Sequence, residues 1–314
     1  MKFLVVGHLC LDVVHPADGP EVQGYGGIYY PVITLASLLD GPDTVHPVFG
    51  VNKADYAPLI EHLRQFPAID TSGIFKFDEP TNRVHLYYKD AQSRIECSRD
   101  IAKPIPYEKI RRHLSVDGIL VNMISGSDVT LETLDHVRMA VRSHNIPIHF
   151  DYHSLTLGID QNFERFRRPI PDWRRWVFMT DTVQLNEEEI AGLSVEKMSE
   201  QQTVGHLLTL GVKAVVLTRG NRGASLFFNE HKHVVRKDAE GVRVDVVRDT
   251  TGCGDVFGAA FHMRYVKSRD PLNALQFANQ VAAARTRSVG IEGLRTLKTS
   301  WFPSKAEAMR GKRT

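Results

Sequence analysis

Short apolar runs rich in β-branched residues recur along the chain, at residues 3–6, 119–121, 148–150, 183–185 and 214–217. They lack regular polar alternation, so each predicts a strand buried on both faces. Segments with helical spacing follow several of them, as residues 187–193 follow 183–185. Doubly buried strands alternating with helices predict an α/β fold, a mostly parallel sheet covered on each side. The runs end in polar or small residues: Gly7, Asn122, Asp151, Asn186 and Thr218. The carboxyl ends of an open parallel sheet line its ligand crevice, so these positions carry weight before any motif is read.

Two segments break the pattern. Val22–Gly27 and residues 83–98 read as extended, and in the second Val84, Leu86 and Tyr88 alternate with His85, Tyr87 and Lys89. Asp90-Ala91-Gln92-Ser93 has the composition of a hairpin turn. The two segments, about 15–27 and 83–98, predict a small β flap that serves as a lid or as an ordinary edge hairpin. The chain shows no internal repeat, and residues 1–314 read as a single domain with a frayed basic tail at 305–314.

Hydrophobic residues make up 42% and charged residues 24%, which excludes wholesale disorder. Lys+Arg number 39 against 37 Asp+Glu, a net +2, too balanced for a general nucleic-acid binder. Cys10, Cys97 and Cys253 form no CxxC pair, and the 14 histidines form no HExxH motif, so neither a disulfide scaffold nor a zinc site is expected. No run approaches the ~18 apolar residues of a membrane span, and the N-terminal apolar run lacks a cleavage signature. A soluble, cytoplasmic protein without nucleic-acid or membrane partners is the expectation.

The strongest local signal is Asp249-Thr250-Thr251-Gly252-Cys253-Gly254-Asp255, which opens into residues with helical spacing. A glycine turn leading into a helix presents unpaired N–H groups and the positive end of the helix dipole, an anion site. Asp255 in the first turn either serves the dipole or stands as a general base beside that site. Cys253 has no base next to it in sequence and reads as a substitute for a small residue. Asn186 and Glu189 suit a hydrated Mg²⁺, and equally form a capping-box pattern. Thr218-Arg219-Gly220-Asn221-Arg222-Gly223 is a loop that lets backbone approach a phosphate, or a plain tight turn; it lacks the Walker A ending.

Taken in order, these segments resemble the ribokinase-like (PfkB) carbohydrate kinases. Asp249–Asp255 is similar to that family's D-T-T-G-A-G-D signature, with Cys253 in place of Ala. Val5-Val6-Gly7 with Leu11-Asp12, Gly26-Gly27, Phe49-Gly50, Pro80-Thr81-Asn82-Arg83, Asn186–Glu189 and Thr218–Gly223 resemble its other motifs across nearly the whole chain. The resemblance implies a ribokinase-like three-layer α/β/α fold with a small β lid. It also implies ATP-dependent transfer of the γ-phosphate to a hydroxyl of a sugar or sugar-like molecule. Asp255 would be the base, with the Gly252, Cys253 and Gly254 backbone at the moving phosphoryl group. Thr218, Arg219, Gly220, Gly223 and Asn279 (beside Ala282 and Ala283) would hold ATP, Asp12, Gly26 and Gly27 the acceptor, and Asn186 and Glu189 Mg²⁺. Parts of the family use a monovalent cation near residues matching Asp249 and Thr251, and the lid leaves a homodimer open.

Two acceptor-side positions depart from the family pattern. Pro31 stands where an Asn is frequent, and Asp151-Tyr152-His153 replaces D-P-N. Pro31 and the Tyr29-Tyr30 pair are therefore expected to reshape the acceptor pocket and make ribose and fructose poor substrates. Two other readings stay open: a nucleoside kinase that stacks a base on Tyr29, Tyr30 or Tyr152, and a non-catalytic ligand-binding regulator.

Overall fold

The computed structural model describes residues 1–16, 18–88, 94–194, 196, 198–295 and 297. The strands in chain order are β1 (Lys2–Val6), β2 (Leu9–His15), β3 (Val22–Gly27), β4 (Thr44–Asn52), β5 (Ile74–Phe77), β6 (Asn82–Tyr88), β7 (Arg94–Arg99), β8 (Gly118–Asn122), β9 (Ile148–Asp151), β10 (Leu157–Ile159), β11 (Arg165–Arg167), β12 (Thr182–Asn186), β13 (Ala214–Thr218), β14 (Gly223–Glu230) and β15 (His233–Glu240). The helices are α1 (Tyr29–Leu38), α2 (Lys53–Leu63), α3 (Tyr107–Ile110), α4 (Leu131–Val141), α5 (Trp173–Phe178), α6 (Glu187–Gly192), α7 (Glu200–Thr209), α8 (Cys253–Ser268), α9 (Pro271–Arg285) and α10 (Glu292–Arg295). The turn expected at Asp90–Ser93 and the basic tail at 305–314 lie outside the described residues.

The central sheet has the order β15-β14-β13-β12-β9-β8-β1-β4-β5. From β13 to β5 every pairing is parallel, and β14 and β15 add an antiparallel hairpin at one edge. Phe3, Leu4, Val5 and residues 214–217 are completely buried, as strands covered on both faces require. The parallel register brings Asn122 beside Asp151 and Asn186 beside Thr218. The polar strand ends therefore share one edge of the sheet. Among the described residues no helix is long and apolar enough to cross a membrane.

A second sheet, β3-β2-β6-β7, stands over that edge. One of its inner strands, β2, has no counterpart among the predicted strands, and Asp12 sits within it. The sequence of β2, LCLDVVH, gives no clean alternation because apolar residues fall on both faces. On one of them Cys10, Val84, Leu86 and Ile124 form a small core of their own. The β10–β11 hairpin was also missed. It meets the outer lid strand through the Ser98 N–H, which donates to Phe163 O (2.9 Å), and through a bridge between Cys97 and Glu164.

Below the opposite edge of the sheet, one buried carboxylate ties three elements together. Asp181 accepts from Arg138 Nη1 on α4 (2.7 Å), from the Ile148 N–H on β9 (2.9 Å) and from Lys213 Nζ before β13 (2.9 Å). Burial pushes its carboxyl up, but Arg138, the Ile148 N–H and Lys213 more than offset this and hold it below the usual carboxylate range. With the folded-state pKa the lower one, the network stabilises the fold above about pH 4 and loses its effect as pH falls through the folded value. Asp181→Ala should cost about 3–5 kcal/mol in denaturant unfolding at pH 7, the range for breaking a buried pair from one side, and the difference from wild type should shrink in acid.

Candidate active site

The first turn of α8 is shaped by what surrounds it. Gly252 adopts φ +73°, the left-handed region, and a Cβ there would collide with the Tyr30 ring, so only glycine fits on either ground. The Cys253 N–H is taken by Thr250 O (3.2 Å), and Val256 N–H closes the first helical bond to Gly252 O (2.9 Å). Among the described residues the amides of Gly254 and Asp255 have no main-chain acceptor, which leaves them available to an anion, although the Asp255 N–H also faces its own carboxylate. Asp255 is buried, and its Oδ1 accepts from Asn122 Nδ2 at 2.7 Å. Burial pushes its carboxyl above the usual range, while the neighbouring His153 and the Asn122 amide pull it part of the way back. The Cys253 thiol is pushed up to about 11 by burial, which leaves it protonated and unsuited to attack.

Two more buried carboxylates stand near Asp255. Gln184, on β12, donates from Nε2 to both Gly254 O (3.0 Å) and Asp151 Oδ2 (3.2 Å), joining the strand end to the helix start. Asp151 is raised well above the carboxylate range by burial and then by the negative charges of Glu189 and Asp255. Glu189 and Asn186 form a complete capping box at α6: Glu189 N–H donates to Asn186 Oδ1, and Asn186 N–H to Glu189 Oε2, both at 2.8 Å. The capping reading therefore holds, while Glu189 Oε1 is left 3.8 Å from Arg167. Among the described residues no three His, Cys, Asp or Glu side chains are grouped so that they could cage a metal ion directly. The oxygen-only set of Asn186 and Glu189, with Asp151 behind, fits a hard cation that keeps its waters.

Two cavities meet at this turn. The larger, about 610 Å³, is bounded by Thr218, Gly220 and Gly223 on one side and by Asn279, Ala282 and Ala283 on the other. Asn279 donates to Glu240 O (2.7 Å), which fixes that wall to β15. Arg219 does not reach the cavity as expected. Its guanidinium is bound by Glu187 (2.7 Å), Glu200 (2.7 Å) and Ser225 Oγ (2.7 Å), all of which hold it away from the lining. The cation on this wall is instead Arg243, in a stretch whose sequence carries no motif.

The smaller cavity, about 90 Å³, lies between the lid and α8. Asp12, Gly27 and Tyr30 line it together with Gly252 and Asp255. Gly26 is not on its wall but lies under Asp12, whose carboxylate occupies the space a Cβ would need. Tyr29 and Tyr152 are packed away, Tyr29 against Tyr25 and His62, and Tyr152 with its hydroxyl donating to Trp173 O (3.3 Å). Neither lines this cavity, nor does Pro31, and of the three tyrosines only Tyr30 does. Glu96, His153 and Arg165 complete the polar lining; Glu96 and Arg165 had no motif to mark them.

The pattern of the pfkB family of carbohydrate kinases matches residues 159–295. The Arabidopsis thaliana ribokinase is 30% identical over half of this chain and 38% of its own length. An ATP-dependent 6-phosphofructokinase of Thermoanaerobacterium thermosaccharolyticum is 25% identical over 74% of this chain and 66% of its own. The chain thus spans well under two thirds of the length of the ribokinases it matches in A. thaliana and Staphylococcus aureus. In structure, the A. thaliana ribokinase complexed with ribose and ATP aligns at TM-score 0.75 and 19% identity over 96% of this chain and 97% of its own. The Thermotoga maritima ribokinase aligns at 0.74 and 20%, over 96% and 99%. A pyrophosphate-dependent kinase of the ribokinase family aligns at 0.75 and 17%, over 92% and 96%. The ribokinase fold is shared along almost the whole chain, and residues 159–295, which build α8 and its larger cavity, carry the pattern of the pfkB carbohydrate kinases.

Proposed function

We propose that the protein is an ATP-dependent kinase that phosphorylates a hydroxyl of a sugar or sugar-like molecule. One observation carries this reading: the 250–255 turn is the wall between the two cavities. Thr250, Cys253 and Gly254 face the larger, while Thr251, Gly252 and Asp255 face the smaller. A donor in one and an acceptor in the other meet at the amides of α8, with Asp255 on the acceptor side. The apolar surface of Phe257, Ala282 and Ala283 suits a nucleobase, which favours ATP over pyrophosphate as donor. Asp255 takes the acceptor's hydroxyl proton, the oxygen bonds to the γ-phosphorus, and the bond to the ADP oxygen breaks. The Gly254 and Asp255 amides stabilise the charge on the moving group. Asn186 and Glu189 would hold Mg²⁺ through water, and a bound Mg²⁺ would neutralise phosphate charge. The lid sheet, which carries Asp12, would shield the acceptor side from water, which otherwise competes for the phosphoryl group.

The acceptor cavity also bears on charge. Arg165 donates from Nε to Ser98 Oγ (2.5 Å), lies 3.1 Å from Glu96, and donates from its terminal nitrogens to Ser154 Oγ and Ile124 O (3.3 Å). So engaged, it lacks the two parallel N–H groups that grip a carboxylate or phosphate. Asp12, Glu96 and Asp255 line the same space. Neutral polyols and monosaccharides are therefore the acceptor class. Their kcat/KM in an ADP-release assay should exceed that of the matching sugar phosphates and sugar acids by at least about tenfold, or ~1.4 kcal/mol. Equal turnover of an anionic acceptor would refute this charge selection.

Asp255→Asn should cut turnover by roughly 10²–10⁴-fold with little change in melting temperature or ATP affinity. Near-wild-type turnover would return Asp255 to a helix-dipole role and remove the kinase reading. Asn122→Ala removes a hydrogen bond to the ionised carboxylate, so the base should hold its proton to higher pH. The acid limb of the kcat/KM profile should then move upward, and an unmoved limb would mean that Asn122 does not set the base.

A further inference from the structure

The place that the family resemblance reserves for a monovalent cation is filled here by a side chain. Arg285, the last residue of α9, is completely buried. Its Nη2 donates to Asp249 Oδ2 and to Thr251 O, both at 2.9 Å, and its Nη1 donates to Ser288 O at 2.7 Å. Asp249 is further held by the Gly290 N–H (2.9 Å) and the Thr251 N–H (2.8 Å). One guanidinium thus joins the irregular segment leading into α8, the 250–252 turn itself and the turn after α9. Its carbon lies 5.7 Å from the centre of the Tyr30 ring, and that ring packs on Gly252. An alkali ion bound by Asp249 and Thr251 would need oxygens already satisfied by a fixed positive charge, and would be repelled by it in a buried setting. The residues present do not fit a monovalent cation.

We propose that Arg285 is a built-in cation that organises the 249–252 loop, and that the protein is consequently indifferent to potassium. A guanidinium serves this purpose permanently because it stays charged at any working pH and its planar fork reaches several oxygens at once. Arg285 is a positioning residue: it touches neither cavity and acts through Thr251, Asp249 and Tyr30. The effect on turnover rests on the kinase reading; the effect on loop stability does not.

The test compares potassium, sodium and choline chlorides at constant ionic strength, reading melting temperature with and without a non-hydrolysable ATP analogue, and turnover of a neutral acceptor. Wild type should give the same melting temperature and turnover in all three salts. Arg285→Met should melt lower and lose roughly 10²-fold in turnover, as expected when the catalytic turn shifts. Potassium or low-millimolar guanidinium, but not choline, should restore part of both. A wild-type protein stabilised or activated by potassium over choline would overturn the proposal. So would a folded Arg285→Met variant with wild-type melting and turnover. If the variant fails to fold, the wild-type salt comparison still decides. If wild type phosphorylates no acceptor, the kinase reading falls, while the melting comparison still supports or overturns the role of Arg285.

Discussion

Negative charge is concentrated at the carboxyl edge of the sheet, where the proposed reaction would bring more. Asp151, Glu189 and Asp255 are all buried at the carboxyl edge of the sheet, and each raises the cost of ionising another. A nucleotide reaching the N-terminus of α8 would add phosphate charge to that edge. The arrangement is tolerable only because positive and polar groups surround it: the α8 amides, the Asn122 amide, His153 and Arg167. A hydrated Mg²⁺ supplies the largest remaining share in the proposed reaction. The burial that raises the proton affinity of Asp255 would also make the carboxylate a better base, so in the proposed reaction destabilised charge serves the chemistry.

The parallel sheet was legible because its strands are apolar on both faces, a pattern that helices and exposed strands do not share. Its polar edge was legible too, since Asn122, Asp151, Asn186 and Thr218 interrupt those runs at the carboxyl ends of the strands. Strand β2 was hidden for the opposite reason: Leu11 and Val13 face one side and Cys10 the other, so no alternation marks it. Gln184 sits inside an apolar strand and could have been singled out as a polar group needing a partner. Arg219 shows the limit of a loop motif. Its backbone neighbours line the larger cavity as expected, but Glu187 and Glu200, distant in sequence or unmarked by any pattern, decide where its guanidinium goes. Arg285 follows three alanines on a helix that reads as a small-residue packing face, and nothing local announces that its charge is buried against Asp249.

The two halves of the site differ in how much their surroundings constrain them. On the donor side glycines and helix amides present backbone, so the chemistry depends on geometry that many side-chain changes leave intact. On the acceptor side the lining comes from separate pieces: β2 and β7 of the lid, β11 of the added hairpin, and α1. Arg165, on β11, ties that hairpin to the lid through Glu96 and Ser98 of β7 and to the main sheet through Ile124 after β8. In the proposed reading a change of acceptor during divergence would therefore have to alter lid packing and side-chain charge together, whereas the 250–255 turn could remain as it is.

Tyr30 is the point at which those halves are coupled. Its ring closes against Gly252, lines the acceptor cavity and lies beside the Arg285 guanidinium. Burial pushes its phenol well above the ordinary tyrosine range, so it stays neutral and adds no charge to the carboxylate-rich pocket. A group at this position can transmit the order of the loop held by Arg285 to the wall of the smaller cavity by packing alone, with no hydrogen bond in the path. That explains why the helix carrying Tyr30 must be fixed as firmly as the anion site itself. Tyr29, its neighbour, is spent on that task, stacked on Tyr25 of the lid and tilted against His62 of α2. The tyrosine pair thus divides its labour, one ring anchoring α1 and the other shaping the site.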